Sequence, residues 1–255
     1  MEVPAREGRW PQKIKFWFKK LVTVTCLRLV GDRFLKLQRI KSEENLEDSK
    51  KILIFAAEKK EEGKLMMVIS DIEKLKAVTL YILKKCGATD YIHLFKILYF
   101  AEKAHYAEYG KHITKDTFVA MEHGPVPSFL YDALKLVTNQ DKANDNNPLW
   151  IIANAIKRGS ADLYYFFMGA EEPDMDELSK AEIVSLDQSI AENKDLSPWA
   201  LSEKSHDLAW HAAWDVMQNS TIDPYKIAEA GGASEGFVDY LKEQDKMDAF
   251  LKGNG

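Results

Sequence analysis

The feature that most constrains the fold is a series of amphipathic segments from Ser70 onward, each bounded by helix start and stop signals. Ser70 and Glu73 form an S-x-x-E capping box, in which each side chain satisfies a backbone N–H group near the start of the helix. Apolar residues then recur at helical spacing, namely Ile72, Leu75, Val78 and Ile82. Gly87 follows, and glycine commonly ends a helix as a C-terminal cap. The pattern predicts a first α-helix that begins at Ser70.

The same signals recur along the rest of the chain. A second predicted helix runs from Asp90 to Tyr109 and ends at Gly110, with His105 on its apolar stripe. Later helix starts combine a capping side chain with a nearby glutamate or a first-turn proline, at Ser179 with Glu182, Ser197 with Pro198, and Asp223 with Pro224. Ser234 can cap a last helix. We therefore expect a mostly helical domain.

Extended segments are short and few. Phe118 to Met121 is typical of a strand and leads into the tight turn His123 to Val126. The aromatic run from Leu163 to Phe167 predicts a second short strand, paired with residues 117–121. The polar stretch from Asn139 to Asn147 indicates a loop. The expected fold class is mainly α, a compact multi-helix domain with a small β-hairpin or two short strands.

The charge of the chain changes sharply near residue 66. Residues 1–70 carry 16 Lys and Arg against 10 Asp and Glu, whereas residues 71–255 carry 19 against 30. Two interpretations of the basic residues 1–65 stay open. In one they form a separate module for a partner or for nucleic acid. In the other they are poorly packed leader sequence, and the natural start is Met66 or Met67.

Bulk properties exclude several classes of protein. The net charge is −5, which is unusual for a dedicated nucleic-acid binder, so we expect a nucleic-acid contact only through residues 1–65. Two cysteines far apart, Cys26 and Cys86, provide no disulfide framework and favour a reducing, cytoplasmic location. No apolar run is long enough to span a bilayer. We expect no membrane association.

The residues that could bind a metal or take part in catalysis do not form a recognised site. His206 and His211 are five residues apart, which turns them to different sides of a helix, and no zinc or calcium motif is present. No nucleophile motif and no phosphate-binding loop occurs. We predict no metal site, no catalytic residue and no cofactor. The remaining enzymatic alternative is a site at His105 with Glu102 or Glu122.

Two groups of residues are less ordinary. The first is His105 together with the His123 to Val126 turn, which is either a core histidine beside a tight turn or a shaped groove. In the second, three ring side chains lie four residues apart and share one face of a helix, at His206, Trp210 and Trp214. Such a face is either core or a partner-binding surface. If the indoles are buried, His206 or a backbone carbonyl must accept from them.

Four separated segments of the chain resemble the Panacea domain family, the SocA-like antitoxins of bacteria and phages. The run from Leu94 to Gly110 is similar to the family's K-L-L-Y-F-A-x-x-x-H segment, and Phe118 to Val126 with Tyr131 is similar to its extended stretch, Gly-Pro-Val turn and downstream aromatic. Leu178-Ser179 and Leu201 to Trp210 resemble its later motifs, with Ala209 in place of the family's usual proline. The resemblance covers roughly residues 71–215. It assigns the antitoxin domain to residues 66–218 and leaves 219–255 as a helical extension packed on that domain.

The resemblance implies an antitoxin, not an enzyme. Such a protein neutralises a cognate toxin encoded in the neighbouring gene by direct binding, and one branch of the family is a proteolytic adaptor that delivers its toxin to a protease. The acidic 171–177 segment is either a solvated loop or a patch that meets a basic partner. The expected partner-binding residues are His105, His123, Gly124, Pro125, Val126, Tyr131, His206, Trp210 and Trp214.

Overall fold

The computed structural model describes residues 68–138, 147–159 and 166–253. Its contacts divide the chain into two units, residues 1–62 and 63–255, and the described residues belong to the second. The two interpretations of residues 1–65 therefore lie outside the described residues, as does most of the predicted loop at 139–147.

The described residues form nine α-helices and two small antiparallel sheets, which confirms the predicted mainly-α class. The helices are α1 (Ile69–Cys86), α2 (Tyr91–Tyr109), α3 (Ser128–Thr138), α4 (Trp150–Ala153), α5 (Lys180–Asn193), α6 (Pro198–Ser205), α7 (Leu208–Trp214), α8 (Pro224–Ala230) and α9 (Glu235–Gly253). The strands are β1 (Thr89–Asp90), β2 (Phe118–Met121), β3 (Gly124–Pro127), β4 (Ile156–Arg158) and β5 (Phe166–Gly169).

Helix α2 is the central element of the domain. It packs against α5, α6, α8 and β3, and seven successive residues from Leu94 to Phe100 are buried. Asp90 caps its N-terminus by accepting from the His93 N–H at 2.9 Å, and Gly110 ends it in a left-handed conformation. Both predicted ends of this helix are confirmed. A helix whose middle is buried on all sides can hold other elements in place by packing alone.

Most predicted helix starts are confirmed, and one is wrong. Ser179 and Glu182 form the complete capping box of α5, and Ser197 and Asp223 cap the helices that begin with proline. Helix α1, however, begins at Ile69, because the carbonyl of Val68 already accepts from the backbone N–H groups of the first turn. Ser70 then lies inside that turn and cannot act as its N-cap.

The strand prediction was right about the extended segment at 118–121 and wrong about its partner. β2 pairs with β3 in a hairpin, with Val119 opposite Val126. Its other edge is covered by residues 219–222, where the Ala120 N–H donates to the Ser220 carbonyl at 2.9 Å. β5 instead lies between β1 and β4. Because both edges of β2 are occupied, the aromatic strand pairs elsewhere.

Asp116 joins the hairpin to helix α3. Its buried carboxylate accepts from the backbone N–H groups of Thr117, Phe129 and Leu130 at 2.7, 2.9 and 2.9 Å. These include two of the N–H groups that the first turn of a helix leaves without an internal partner. One side chain therefore fixes both the entry to β2 and the start of α3.

Replacing Asp116 with alanine should destabilise the protein strongly. Three backbone N–H groups would lose their acceptor, and we expect the free energy of unfolding to fall by about 3 kcal/mol. Asp239→Ala, which removes a surface ion pair with Lys242, is the matched control and should change it by less than about 1 kcal/mol. Urea denaturation of the full chain measures both. Equal effects for the two variants would contradict the role of Asp116.

Candidate functional site

The Gly-Pro-Val turn is tied to helix α2 by a buried lysine. Lys96 is fully buried, and its Nζ donates to the carbonyl of Pro125 at 2.8 Å. Burial lowers the pKa of Lys96 to about 7. Placing an amino group in a protein interior is unfavourable unless it has a hydrogen-bond partner, and the turn supplies that partner. The same turn therefore relies on the lysine for its position.

Gly124 allows this close approach. Its φ of +92° lies in a region that other residues rarely adopt. A Cβ on this residue would lie 2.1 Å from Ser205 Oγ and 2.9 Å from Lys96 Nζ. The hairpin thus packs backbone against side chains of both α2 and α6. Ser205 is itself buried and donates to the Ser202 carbonyl at 2.8 Å, so this Ser and Lys pair is enclosed in the core.

Asp207 anchors the start of α7 to α2. Its carboxylate caps α7 by accepting from the N–H groups of Ala209 and Trp210 at 3.1 and 3.2 Å. It also accepts from the hydroxyl of Tyr99 at 2.9 Å and from Lys103 Nζ at 2.8 Å. One carboxylate therefore sets both the position and the direction of α7.

Three rings stack beside the hairpin. The rings of His206 and Trp210 have centroids 4.0 Å apart, and those of Trp210 and Trp214 are 5.1 Å apart. The expected continuous helix is interrupted, because His206 ends α6 and Asp207 caps α7. The rings nevertheless share one side. Trp210 Nε1 donates to the carbonyl of Met121 at 2.9 Å, so of the two acceptors considered for a buried indole, the backbone carbonyl serves Trp210.

His206 is the polar end of this stack. Its Nε2 atom is enclosed and has no hydrogen-bond partner among the described residues. Burial lowers the pKa of His206, against the opposing effect of the Glu203 carboxylate. The neutral ring is thus favoured at neutral pH, which suits a ring that stacks on an indole.

His105 has a structural setting on α2. It is buried, and its Nδ1 lies 3.0 Å from the hydroxyl of Ser185 on α5. Glu102, its expected partner in an enzyme, instead accepts from the N–H of Ile113 at 3.1 Å and pairs with His112 Nδ1 at 2.7 Å. The carboxylate therefore holds the loop after α2 and is not directed at His105.

The structure divides the nine expected partner-binding residues into two sets. Five are buried and can support a surface only from below, namely His105, Gly124, Pro125, Val126 and Trp210. Four are partly exposed, namely His123, Tyr131, His206 and Trp214. Tyr131 packs edge-on against Tyr91 and Phe95. The hairpin, the stacked rings and α7 form one assembly, whereas His105 belongs to the α2–α5 contact.

The outer face of α7 consists of residues that the sequence analysis did not name. Leu208 and Val216 are 79% and 85% exposed, and Ala212 between them is exposed as well. Backbone bonds from Asp215 to His211 and from Met217 to Ala213 extend the helical geometry beyond Trp214. These three apolar residues, four apart, therefore form one line on the side opposite the buried Trp210. Their spacing of four residues in the sequence could have predicted this shared face.

The acidic 171–177 segment is largely tied to helix α1. Glu171 pairs with Lys76 at 3.5 Å, Glu172 pairs with Lys84, and Lys74 donates to the Glu177 carbonyl. Part of its charge is thus neutralised within the domain.

Within the described ranges, no three His, Cys, Asp or Glu residues are grouped as metal ligands would be. None of the described helices has the length and apolar character of a membrane span.

Comparison with known proteins gives a match to one family model. The family model described as "Antitoxin SocA-like, Panacea domain" matches residues 94–211, which extend from α2 into α7. This part of the chain is similar to the Panacea domain. No curated protein and no solved structure is detectably similar to the chain. The matched region includes Lys96, the hairpin, Asp207 and Trp210, and thus most of the assembly described above.

One departure from the family pattern has a local explanation. Ala209 occupies the position where the family usually has proline, and its N–H donates to Asp207. Proline lacks this N–H and cannot make the bond. In this chain the capping carboxylate therefore has an additional donor at the first turn of α7.

Gly124→Ala should be far more damaging than the same change at Gly232. Both glycines have similar positive φ values, +92° and +98°, but a Cβ at Gly232 meets nothing within 4 Å. The backbone strain is common to both, about 1 kcal/mol. Only Gly124→Ala adds a clash with Ser205 and Lys96. Urea denaturation of the full-length variants should show a larger loss for Gly124→Ala, and equal losses would refute the close-packing argument.

Lys96→Met should change how stability depends on pH. An unfolded lysine keeps its ordinary pKa of about 10.4, so between pH 7 and that value the unfolded chain binds more protons than the folded one. Lys96 therefore makes the free energy of unfolding rise with pH in this window, by up to about 1.4 kcal/mol per pH unit. In denaturation experiments, the free energy of unfolding of the wild type should rise relative to that of Lys96→Met between pH 7 and 9. Parallel profiles would show that the folded pKa of Lys96 is not depressed.

Proposed function

We propose that this chain is an antitoxin that neutralises a cognate toxin protein, encoded in the neighbouring gene, by binding it directly. The observation that carries the proposal is the match of residues 94–211 to the SocA-like antitoxin family. The buried setting of Lys96, Ser205 and His105 gives these groups structural partners, which supports a binding role over catalysis.

The rigidity of the assembly around α7 supports a binding role. Asp207 fixes one end of the helix, and the indole of Trp210 fixes its middle to the hairpin. A surface that is already in place loses little conformational entropy when a partner binds. The outer face of α7 is therefore suited to act as a preformed contact.

The chemistry of this surface indicates the kind of toxin face that it would cover. Leu208 and Val216 provide apolar anchors, and Glu203 and Asp215 are exposed acidic residues near them in sequence. Residues 71–255 carry 30 acidic against 19 basic residues. Apolar anchors contribute most of the affinity at an interface, while complementary charge sets the rate and register of encounter. We infer a toxin face with an apolar centre and a basic rim, with His123, Tyr131, His206 and Trp214 as further contacts.

A growth experiment tests the proposal. The neighbouring gene is expressed in bacteria alone and together with the full chain, and survivors are counted. We expect killing by the neighbour alone and rescue by the chain. The double variant Leu208→Asp with Val216→Asp should lose rescue because it places charge at the proposed anchors. Val184→Asp alters a similarly exposed residue on α5, 62% accessible, and should rescue normally.

The toxin level separates two modes of neutralisation. Direct inhibition leaves the toxin intact in a complex that co-purifies with the chain. A proteolytic adaptor lowers the toxin level instead, and rescue then requires the host protease. A neighbour that is harmless by itself would count against the antitoxin proposal.

A further inference from the structure

Helix α9 begins in the domain and ends outside it. Its first part is buried through Val238 and Leu241, which pack with Tyr106 of α2 and Ala228 of α8. The hydroxyl of Tyr225 still reaches Asp245 at 2.7 Å. Every residue from 243 to 251 is nevertheless exposed. The second half of α9 thus projects from the described part of the chain as a solvent-exposed helix.

The projecting helix has a regular seam. One side of α9 shows residues spaced alternately by three and four positions, namely Phe237, Tyr240, Gln244, Met247 and Leu251. Met247 is 57% exposed, and Tyr240 and Leu251 are exposed to a similar degree. This is the a and d spacing by which one helix packs along another. We call these five residues the α9 seam.

Among the described residues, the later turns of this seam remain exposed. Short helices are marginal in water unless an apolar face packs against something. The first turns of α9 obtain that packing from α2 and α8, whereas the later turns present Met247 and Leu251 to solvent. A single polar residue within such a seam, here Gln244, is a device that fixes the register of a helix pair.

We propose that the α9 seam binds a helix of another protein whose own apolar seam is flanked by lysine or arginine. The charge comes from the positions that border the seam. The flanking positions are Leu241, Glu243, Asp248 and Phe250, of which Glu243 and Asp248 carry charge, whereas Lys242 and Lys246 lie on positions turned away from the seam. Flanking charges at a helix pair select partners of opposite sign.

The same charges argue against a second copy of this chain as the partner. In a parallel pair, Glu243 of one copy would face Asp248 of the other, and like charges at these positions oppose association. The α9 seam also lies outside residues 94–211, so this inference does not depend on the proposed antitoxin function. If either proposal is refuted, the other is unaffected.

A synthetic peptide provides the probe. It has about three heptads, with isoleucine and leucine at the seam and lysine at every flanking position. A second peptide carries glutamate at the same flanking positions. Fluorescence anisotropy with the full chain should give a dissociation constant on the order of micromolar for the lysine peptide and binding at least about tenfold weaker for the glutamate peptide. Added salt should reduce the difference because it screens exposed charges.

Variants of the full chain locate the binding. Met247→Lys should weaken binding of the lysine peptide by about tenfold, because it buries a charge in the seam and repels the peptide. Val184→Lys is the control at a similarly exposed helix position and should bind normally. The double variant Glu243→Lys with Asp248→Lys should reverse the preference and favour the glutamate peptide.

Three results would overturn the proposal. They are equal binding of both peptides, unchanged binding by Met247→Lys, and a dimer in sedimentation that dissociates on Met247→Lys. The last result would make a second copy the occupant of the seam. Circular dichroism of each variant shows whether a loss of binding reflects unfolding, and the charge-reversal variant must gain affinity for the glutamate peptide, which an unfolded chain cannot do.

Discussion

The arrangement of the domain depends on one buried hydrogen bond, from the amino group of Lys96 to the carbonyl of Pro125. An amino group in the core requires an acceptor, and the hairpin can bring one close enough only because Gly124 has no side chain. The hairpin in this position presents the carbonyl of Met121 to the indole of Trp210. Helix α7 is oriented by that bond and by Asp207. A contact deep in the core therefore determines which side of α7 faces solvent.

The described residues present two different kinds of surface. The outer face of α7 is held from below by packed rings and buried polar bonds, so a partner that bound it would meet a preformed surface. The second half of α9 lies outside the matched family region and makes few contacts with the described domain. Under the two proposals, the rigid surface within the matched region and the projecting helix outside it bind separate partners.

Local signals were the most reliable part of the sequence reading. The ends of α2 and the capping box of α5 were predicted correctly, because each depends on side chains within one helical turn. The predicted helix start at Ser70 was wrong because the backbone carbonyl of Val68 accepts the first hydrogen bonds of the helix. The pairing of the aromatic strand failed for a long-range reason. Residues 219–222 cover the edge of β2, and no sequence signal near residue 118 indicates this pairing.

The sequence by itself determined which residues share a helix face and where most helices begin and end, because helical periodicity and capping act over a few residues. It also determined the mainly-α class and the family resemblance. Only the tertiary structure decided what covers each face. Trp210 is 5% exposed and Leu208 is 79% exposed, although they lie two residues apart in α7. Periodicity sets which side chains point together, but burial depends on the elements that the rest of the chain brings against them.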